Sequence, residues 1–458
     1  MPETLRLPDG SYMRRIDIQS VIRYIYSLQC VEIVGFSNIG KSAFMRLLAQ
    51  TDVWTQELGE AAQGFLPVYI DCNRMLGMTD QGFYELILRC LQESYAQMTA
   101  VSQLAEAYDG LIRPTSGFQV PLSFNQGLTA VLNDTPQRLI LLFDEFDEPF
   151  AQIDSRVFLN LRALRDRYPE KLIYLTATSR SQEIICQDEH RSEFSELFRH
   201  RTWHLAPLTR SDSERLIRRY ADAYEADFIA ADFDFICEWG GGHPNLMEGV
   251  CRSLDAAITA SGQGLGDVMM RQQLHREVAR ELHDNGILQA ECRKIWRQIS
   301  REEQEELRKL FTGDESPEAA GLERLIRNHL LLPREGRYQI FSRLLSDYIQ
   351  RLALQPLVDG GALWVDVDSG EVYVGGMETE TLTNLEYKLM LLLFQSTGKI
   401  VDKYEIVSNV WGESYIDEVD DARIEKLVSR LRQKIEADSG NPRFLVTVRG
   451  RGYRLQLE

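Results

Sequence analysis

Apolar positions along this chain change period from one region to the next. Five short apolar, β-rich runs, at 31–35, 67–72, 139–145, 172–179 and 202–208, punctuate the first half. Between them apolar residues recur at helical spacing, as at 83–91 and 155–167. A continuous apolar run bounded by turn residues fits a strand buried on both faces, whereas an i, i+3, i+4 spacing fits an amphipathic helix. Their alternation predicts an α/β domain, a five-stranded parallel sheet covered by helices on both faces. After residue 208 the pattern turns helical. Helices are expected over 211–224 and 244–258, separated by Gly240-Gly241-Gly242-His243-Pro244. Residues 274–352 read mainly as helix, with a small hairpin at 330–341 before a last helix. Proline and paired glycines then mark a boundary near 355–361. Beyond it, short strands at 363–367 and 371–375 precede three helices and a closing hairpin.

Two motifs give the first half a chemistry. Gly35-Phe36-Ser37-Asn38-Ile39-Gly40-Lys41-Ser42 has the spacing G-x-x-x-x-G-K-S, between an apolar strand and a helical run. Glycines let the backbone wrap a phosphate chain with its N–H groups, and the following helix adds its positive end. Gly35, Asn38 and Gly40 would shape that cradle, Lys41 would contact the β- and γ-phosphates, and Ser42 would hold Mg²⁺. Roughly a hundred residues later the apolar run 138–143 ends in Asp144-Glu145. Asp144 would hold Mg²⁺ through water, and Glu145 would orient and activate the attacking water. One strand and one helix are expected between the two motifs. Asp147 and Glu148 read as solvated loop charges.

Composition narrows the setting. The 458 residues suit roughly three domains at ~150 residues each. The net charge of −18 argues against coating nucleic acid by bulk charge but leaves room for a local basic face. Seven scattered cysteines without a C-x-x-C pair fit a reducing cytoplasm rather than zinc or disulfides. The opening Met1-Pro2-Glu3-Thr4 has no basic region followed by an apolar stretch, so no secretory signal is expected. The apolar runs at 139–143 and 389–394 fall far short of the ~20 residues that span a bilayer.

Charge is uneven. From residue 421 onward nine Lys and Arg face five Asp and Glu, a net of +4 in an acidic chain. In the expected helix 421–436, Ile424, Leu427, Val428, Leu431 and Ile435 mark one core face. Arg423, Lys426, Arg430 and Lys434 lie along a neighbouring face. A basic stripe on an amphipathic helix is the footprint of a major-groove reader of double-stranded DNA. Arg449 and Arg451, in a glycine-rich hairpin, suit phosphate or minor-groove contact.

The phosphate loop and acidic strand resemble those of AAA+/STAND P-loop ATPases, over about 12–352. That resemblance implies an ATPase core at 1–208, a helical lid at 209–273 and a winged helix at 274–355. It implies ATP and Mg²⁺ as cofactors, slow hydrolysis used as a switch, a nucleotide-dependent homo-oligomer and a possible protein partner as trigger. No N-K-x-D motif occurs, which favours ATP over GTP. Thr176-Ala177-Thr178-Ser179-Arg180 stands where the class has a sensor, so Arg180 would read the γ-phosphate. Gly241-Gly242-His243-Pro244 resembles the G-x-P element that places Pro244 near adenine; Pro at the first position of a helix gives the same pattern. Arg199 and Arg201 stand where the class carries an arginine finger; the plainer reading, flanking surface cations, is preferred. The long sensor repeats usual in STAND proteins do not occur in the sequence, so no triggering input is visible.

The last region resembles the OmpR-type effector domain of response regulators, over 361–458. Leu382-Thr383-Asn384-Leu385-Glu386, Trp411-Gly412 and Arg449-Gly450-Arg451-Gly452-Tyr453 occur in the order that family has them. It implies a winged-helix DNA-binding domain. Nothing resembles the receiver domain that usually precedes it. The combined expectation is a transcriptional regulator governed by ATP. The alternative is a defence or signalling switch whose last domain docks a partner protein or senses foreign DNA.

Overall fold

The five apolar runs form five parallel strands: β1 (Val31–Val34), β2 (Phe65–Asp71), β3 (Arg138–Asp144), β4 (Leu172–Thr178) and β5 (Thr202–His204), in the order β2-β3-β4-β1-β5. The structure is a computed structural model. It describes residues 5–7, 10–94, 101–185, 189–261, 268–313, 317–334, 337–354, 363–366, 371–374, 377–379, 382–412, 421–436, 438–448 and 450–457. The chain divides into two units, Met1–Ala353 and Leu354–Glu458.

In the first unit every residue of β4 and all but the first of β3 is buried, because helices cover both faces of the sheet. This is why their sequences carry no alternation. β4 lies between β1 and β3, so the phosphate loop, the acidic pair and Ser179-Arg180 emerge from one edge of the sheet. Ligands of open parallel sheets bind at such carboxyl ends. Behind this edge Phe143, Phe146, Phe150, Phe158 and Phe194 pack ring against ring and are fully buried. They anchor the chain on either side of Asp144 and Glu145.

The expectation of one helix between β2 and β3 is corrected. Among the described residues three are present: Asp80–Ser94, Val101–Ile112 and Gln119–Asp134. The last two form a hairpin packed on the first through Leu104, Ala107, Leu111, Phe124 and Leu128, all buried.

Helices Arg210–Tyr224, Ala230–Gly240, Pro244–Ser261 and Val268–Asp284 follow β5. Thr209 caps the first by accepting the Asp212 N–H at 3.2 Å. The turn before Pro244 needs glycine. Gly242 has φ +79°, and a Cβ there would meet the Leu208 carbonyl oxygen at 2.5 Å. Helices Gly286–Gln298, Arg301–Thr312 and Ala319–Arg327, the antiparallel pair Leu331–Arg334 and Arg337–Ile340, and helix Arg343–Leu354 complete the unit. A Ser300–Glu303 capping box starts Arg301–Thr312.

The second unit has its own core. Antiparallel strands Leu363–Asp366, Glu371–Val374 and Met377–Glu378 precede helices Asn384–Gln395, Lys403–Val410 and Asp421–Ile435. Strand Gly452–Leu455 is central in a second small sheet, between Ile400–Val401 and Leu445–Val448. Gly452 has φ +132°, and a Cβ there would meet the Val401 carbonyl oxygen at 2.1 Å, so this wing closes only on glycine. Leu389, Met390, Leu393, Ile406, Val410 and the five apolar positions expected in helix Asp421–Ile435 are buried together. Among the described residues, no helix is long and apolar enough to cross a membrane.

Candidate functional site

The phosphate loop runs from the end of β1 into helix Lys41–Leu48. Asn38 and Gly40 both hold positive φ, at 57° and 102°. Asn38 tolerates this region better than most side chains. Lys41 is buried. Its ammonium donates to the Gly35 carbonyl at 2.9 Å and the Phe36 carbonyl at 3.2 Å, folding the side chain back over the loop. Burial pushes its pKa down, and the nearby Asp147, Glu145 and Asp144 oppose that.

The acidic pair faces this lysine. Asp144 is buried and accepts the Tyr69 hydroxyl at 2.7 Å. Glu145 has φ 52° and is exposed, while Asp144 and Phe146 on either side are buried. Its oxygen accepts the Ser42 hydroxyl at 3.3 Å. Partial loss of hydration at the carboxyl raises the pKa of both; Asp144 raises Glu145 further and Lys41 opposes it. A hydroxyl and two carboxylates at one point form a set of hard oxygen donors that fits Mg²⁺, which would also relieve the crowding of two acids. Asp147 was expected to be solvated, and that is corrected. It is half-buried and accepts the Ser179 N–H at 2.9 Å and the Ser179 hydroxyl at 2.5 Å, tying the acidic loop to the end of β4.

Several residues at the loop gave no local sequence signal. Arg14, 3% exposed, donates to the Ile39 carbonyl at 2.7 Å and the Ala206 carbonyl at 2.7 Å, and its backbone N–H meets Asp212 at 3.0 Å. It braces the loop against β5 and the next helix. Gln298 accepts the Ser37 N–H at 2.7 Å. Glu291 accepts the Asn38 amide at 3.0 and 2.9 Å. The fully buried His243 ring meets the Ser37 carbonyl at 2.9 Å, and burial pushes its pKa down to about 4. Neutral His243 thus donates to that carbonyl through Nε2. Partners more than 200 residues from the loop hold its tip.

Pro244 is the first residue of its helix, half-buried, and 4.0 Å from where a Cβ on Gly40 would stand. Arg180 and Arg199 are exposed, and Arg199 pairs with Glu196 at 3.5 Å. Arg201 is half-buried, and its carbonyl accepts the Glu32 N–H at 3.1 Å.

In the second unit, Arg423, Lys426 and Arg430 are exposed on helix Asp421–Ile435, beside its buried face. Lys434, expected to end this stripe, is instead half-buried and donates to the buried Glu386 at 2.9 Å. Glu386 also accepts the Thr383 N–H at 2.8 Å. Arg432 donates to the Leu445 carbonyl at 2.7 Å and the Thr447 hydroxyl at 2.8 Å, holding the hairpin to the helix. Arg451 is exposed at the hairpin turn, whereas Arg449 lies outside the described residues.

The Lys434 pair carries a stability prediction. Burial pushes the Glu386 carboxyl up, but the bonds from Lys434 and Thr383 outweigh it and hold its pKa below the usual value. Lys434→Ala should destabilise this unit by about 2 kcal/mol, the cost of stranding a buried acceptor. A carboxyl held low in the folded state contributes stability above its unfolded pKa. That contribution is lost as pH falls through the folded pKa. The gap between wild type and variant should therefore close at acid pH. Hydrogen exchange of helix Asn384–Gln395 under urea measures it, and equal protection at neutral pH would refute it.

Two family models match this chain. Residues 29–224 match the NACHT domain, and residues 377–455 match the C-terminal domain of transcriptional regulatory proteins. Over 100 residues the chain is 38% identical to the sensory transduction protein RegX3 of Mycobacterium tuberculosis, a match covering 22% of this chain and 43% of that one. A Walker-type ATPase of Pyrococcus abyssi aligns with 76% of this chain and 98% of its own, at 14% identity and TM-score 0.44. The RstA DNA-binding domain of Klebsiella pneumoniae, solved with the RstA box, aligns with 23% of this chain and 100% of its own, at 26% identity and TM-score 0.20. The chain thus joins a P-loop NTPase domain of the NACHT type to a C-terminal winged-helix domain of the OmpR/PhoB type.

Proposed function

We propose that this protein is an ATP-dependent, DNA-binding transcriptional regulator in which ATP binding and hydrolysis switch conformation or oligomeric state. In this reading 1–208 is the ATPase core, 209–273 its lid, 274–355 a winged helix and 361–458 the DNA-binding domain. Lys41 holds the β- and γ-phosphates, Ser42 and Asp144 hold Mg²⁺, and Glu145 activates water. Pro244 borders the base. Arg199 or Arg201 serves as a finger across subunits.

One observation carries the switch. The tip of the phosphate loop is gripped by Gln298, Glu291 and His243, all from beyond the sheet. Phosphate oxygens compete with Gln298 for loop N–H groups, and their charge repels the Glu291 carboxylate. ATP therefore has different affinities for the gripped and released arrangements, which a nucleotide switch requires. Sequencing the DNA fragments retained by purified protein, with and without ATP, tests the reading. A defined duplex sequence whose capture changes with ATP is expected. Sequence-indifferent capture in both conditions would favour a switch that docks a partner protein.

Glu145→Gln should keep ATP and lose hydrolysis by roughly 100-fold or more, the contribution of a positioned base. Asp144 still organises Mg²⁺ in this variant. Phosphate release at the normal rate from Glu145→Gln would show that another group activates water.

A further inference from the structure

A cavity of about 570 Å³ lies next to the phosphate loop in the first unit. Glu32, Thr202 and His204 of β1 and β5 line it with residues 179–184 and 298–300, and so do Arg324, Leu325, Arg327, Asn328 and Leu330. It reaches the loop only at Gly35 and Phe36. Gly40, Lys41, Ser42, Asp144 and Glu145 do not line it. Phosphates seated on Lys41 and Ser42 therefore do not fill it.

Its charges are unevenly satisfied. Glu32 accepts the Gln182 N–H at 2.6 Å and the Thr202 hydroxyl at 3.0 Å. Glu303 accepts the Ser300 N–H at 3.0 Å and the Asn328 amide at 3.1 Å. Both carboxylates are committed to the protein, and Glu183 stands exposed. Arg199 and Arg324 pair with Glu196 and Glu302 outside the cavity, at 3.5 and 3.1 Å. Arg180 and Arg327 both line the cavity and make no ion pair among the described residues. His204 Nδ1 is buried without a hydrogen-bond partner. Burial, helped by His329 and Arg327, pushes its pKa down to about 4, so the ring is a neutral hydrogen-bonding group.

We propose that this cavity binds a phosphomonoester, a small metabolite with a hydroxylated body whose phosphate dianion is held by Arg180 and Arg327. The volume falls within the ~300–1,000 Å³ of small-molecule sites. Two guanidinium groups lining one cavity favour an anion with several equivalent oxygens, which a phosphate provides. His204, Ser181 and Asn328 supply the neutral groups that hydroxyls require. The consequence is regulatory. Gln298 lines the cavity and also holds the Ser37 N–H, so an occupant touches the residue that grips the phosphate loop. Occupancy of this site would thereby act as an input to the phosphate loop. Its effect on ATP rests on the nucleotide reading above; its binding does not.

The test is calorimetric titration of the full chain with ribose 5-phosphate, inorganic phosphate and ribose. Ribose 5-phosphate should bind, inorganic phosphate more weakly, and ribose not at all. Arg327→Ala, an exposed substitution outside the nucleotide machinery, should weaken ribose 5-phosphate at least tenfold and leave basal ATP hydrolysis unchanged. Lys41→Ala should bind ribose 5-phosphate as the wild type does while losing ATP. No binding of either phosphate at millimolar concentration, or binding lost in Lys41→Ala but intact in Arg327→Ala, would overturn the site. ATP affinity should differ with and without saturating ribose 5-phosphate. Equal affinities would overturn the coupling.

Discussion

Lys41→Ala should abolish ATP binding, with a loss of at least ~100-fold in affinity, about 2.8 kcal/mol. In the structure the ammonium is sealed under the loop and bonded to the carbonyls of Gly35 and Phe36. Its charge is supported by Asp147, Glu145 and Asp144 and is not spent on any of them through an ion pair within hydrogen-bonding range. When phosphates enter, the ammonium exchanges two carbonyls for charged oxygens, a stronger class of hydrogen bond. Alanine removes that gain and leaves the Gly35 and Phe36 carbonyls without their donor. Calorimetric titration with ATP and Mg²⁺ measures the loss. A second readout is thermal: ATP should raise the melting temperature of the wild type and leave that of the variant unchanged. A folded Lys41→Ala protein with unchanged ATP affinity would remove the phosphate-loop assignment.

The contrast between Lys41 and Gln298 shows how much was legible in the sequence. Lys41 sits in a motif whose strand, turn and helix are contiguous, so local pattern suffices to place it. The same holds for β3 and β4, whose unbroken apolar runs follow from burial on both faces, and for helix Ser155–Arg167, which matches its expected bounds. Gln298, Glu291, His243 and Arg14 reach the loop across separations of 25 to more than 250 residues. No periodicity encodes such a meeting; only the assembled fold brings them together. Asp147 was misread for the same reason, since its partner Ser179 lies on another strand end. The hairpin of Val101–Ile112 and Gln119–Asp134 was missed because its apolar residues are spread among small and polar ones. Strands Ile400–Val401 and Met377–Glu378 are too short to show a period of two.

Sequence preference for DNA should relax when Arg423, Lys426 or Arg430 is replaced by alanine, each by ~1–3 kcal/mol of discrimination if it reads a base edge. The geometry now limits the candidates. Of the basic side chains on helix Asp421–Ile435, Lys434 is committed to Glu386 and Arg432 to the wing. The acid at the start of the helix, Asp421, pairs with Lys403 at 2.5 Å, so it does not cancel the neighbouring positive charge. The buried set Ile424, Leu427, Val428, Leu431 and Ile435 fixes which face points outward. Arg423, Lys426 and Arg430 share that outward side, the side a recognition helix presents to a groove. Arg451, exposed on the wing turn, has a different role. Its loss should weaken all sequences alike and lower the slope of affinity against salt by about one, the signature of a phosphate contact. The measurement is binding of each variant to a selected duplex and to a scrambled one across a salt series. The protein's net charge of −18 sharpens the test, because the rest of the surface repels DNA and only a correctly placed patch offsets it. If all four substitutions left both affinity and preference unchanged, this domain would be a protein-docking module, and the DNA-binding reading would fall with it.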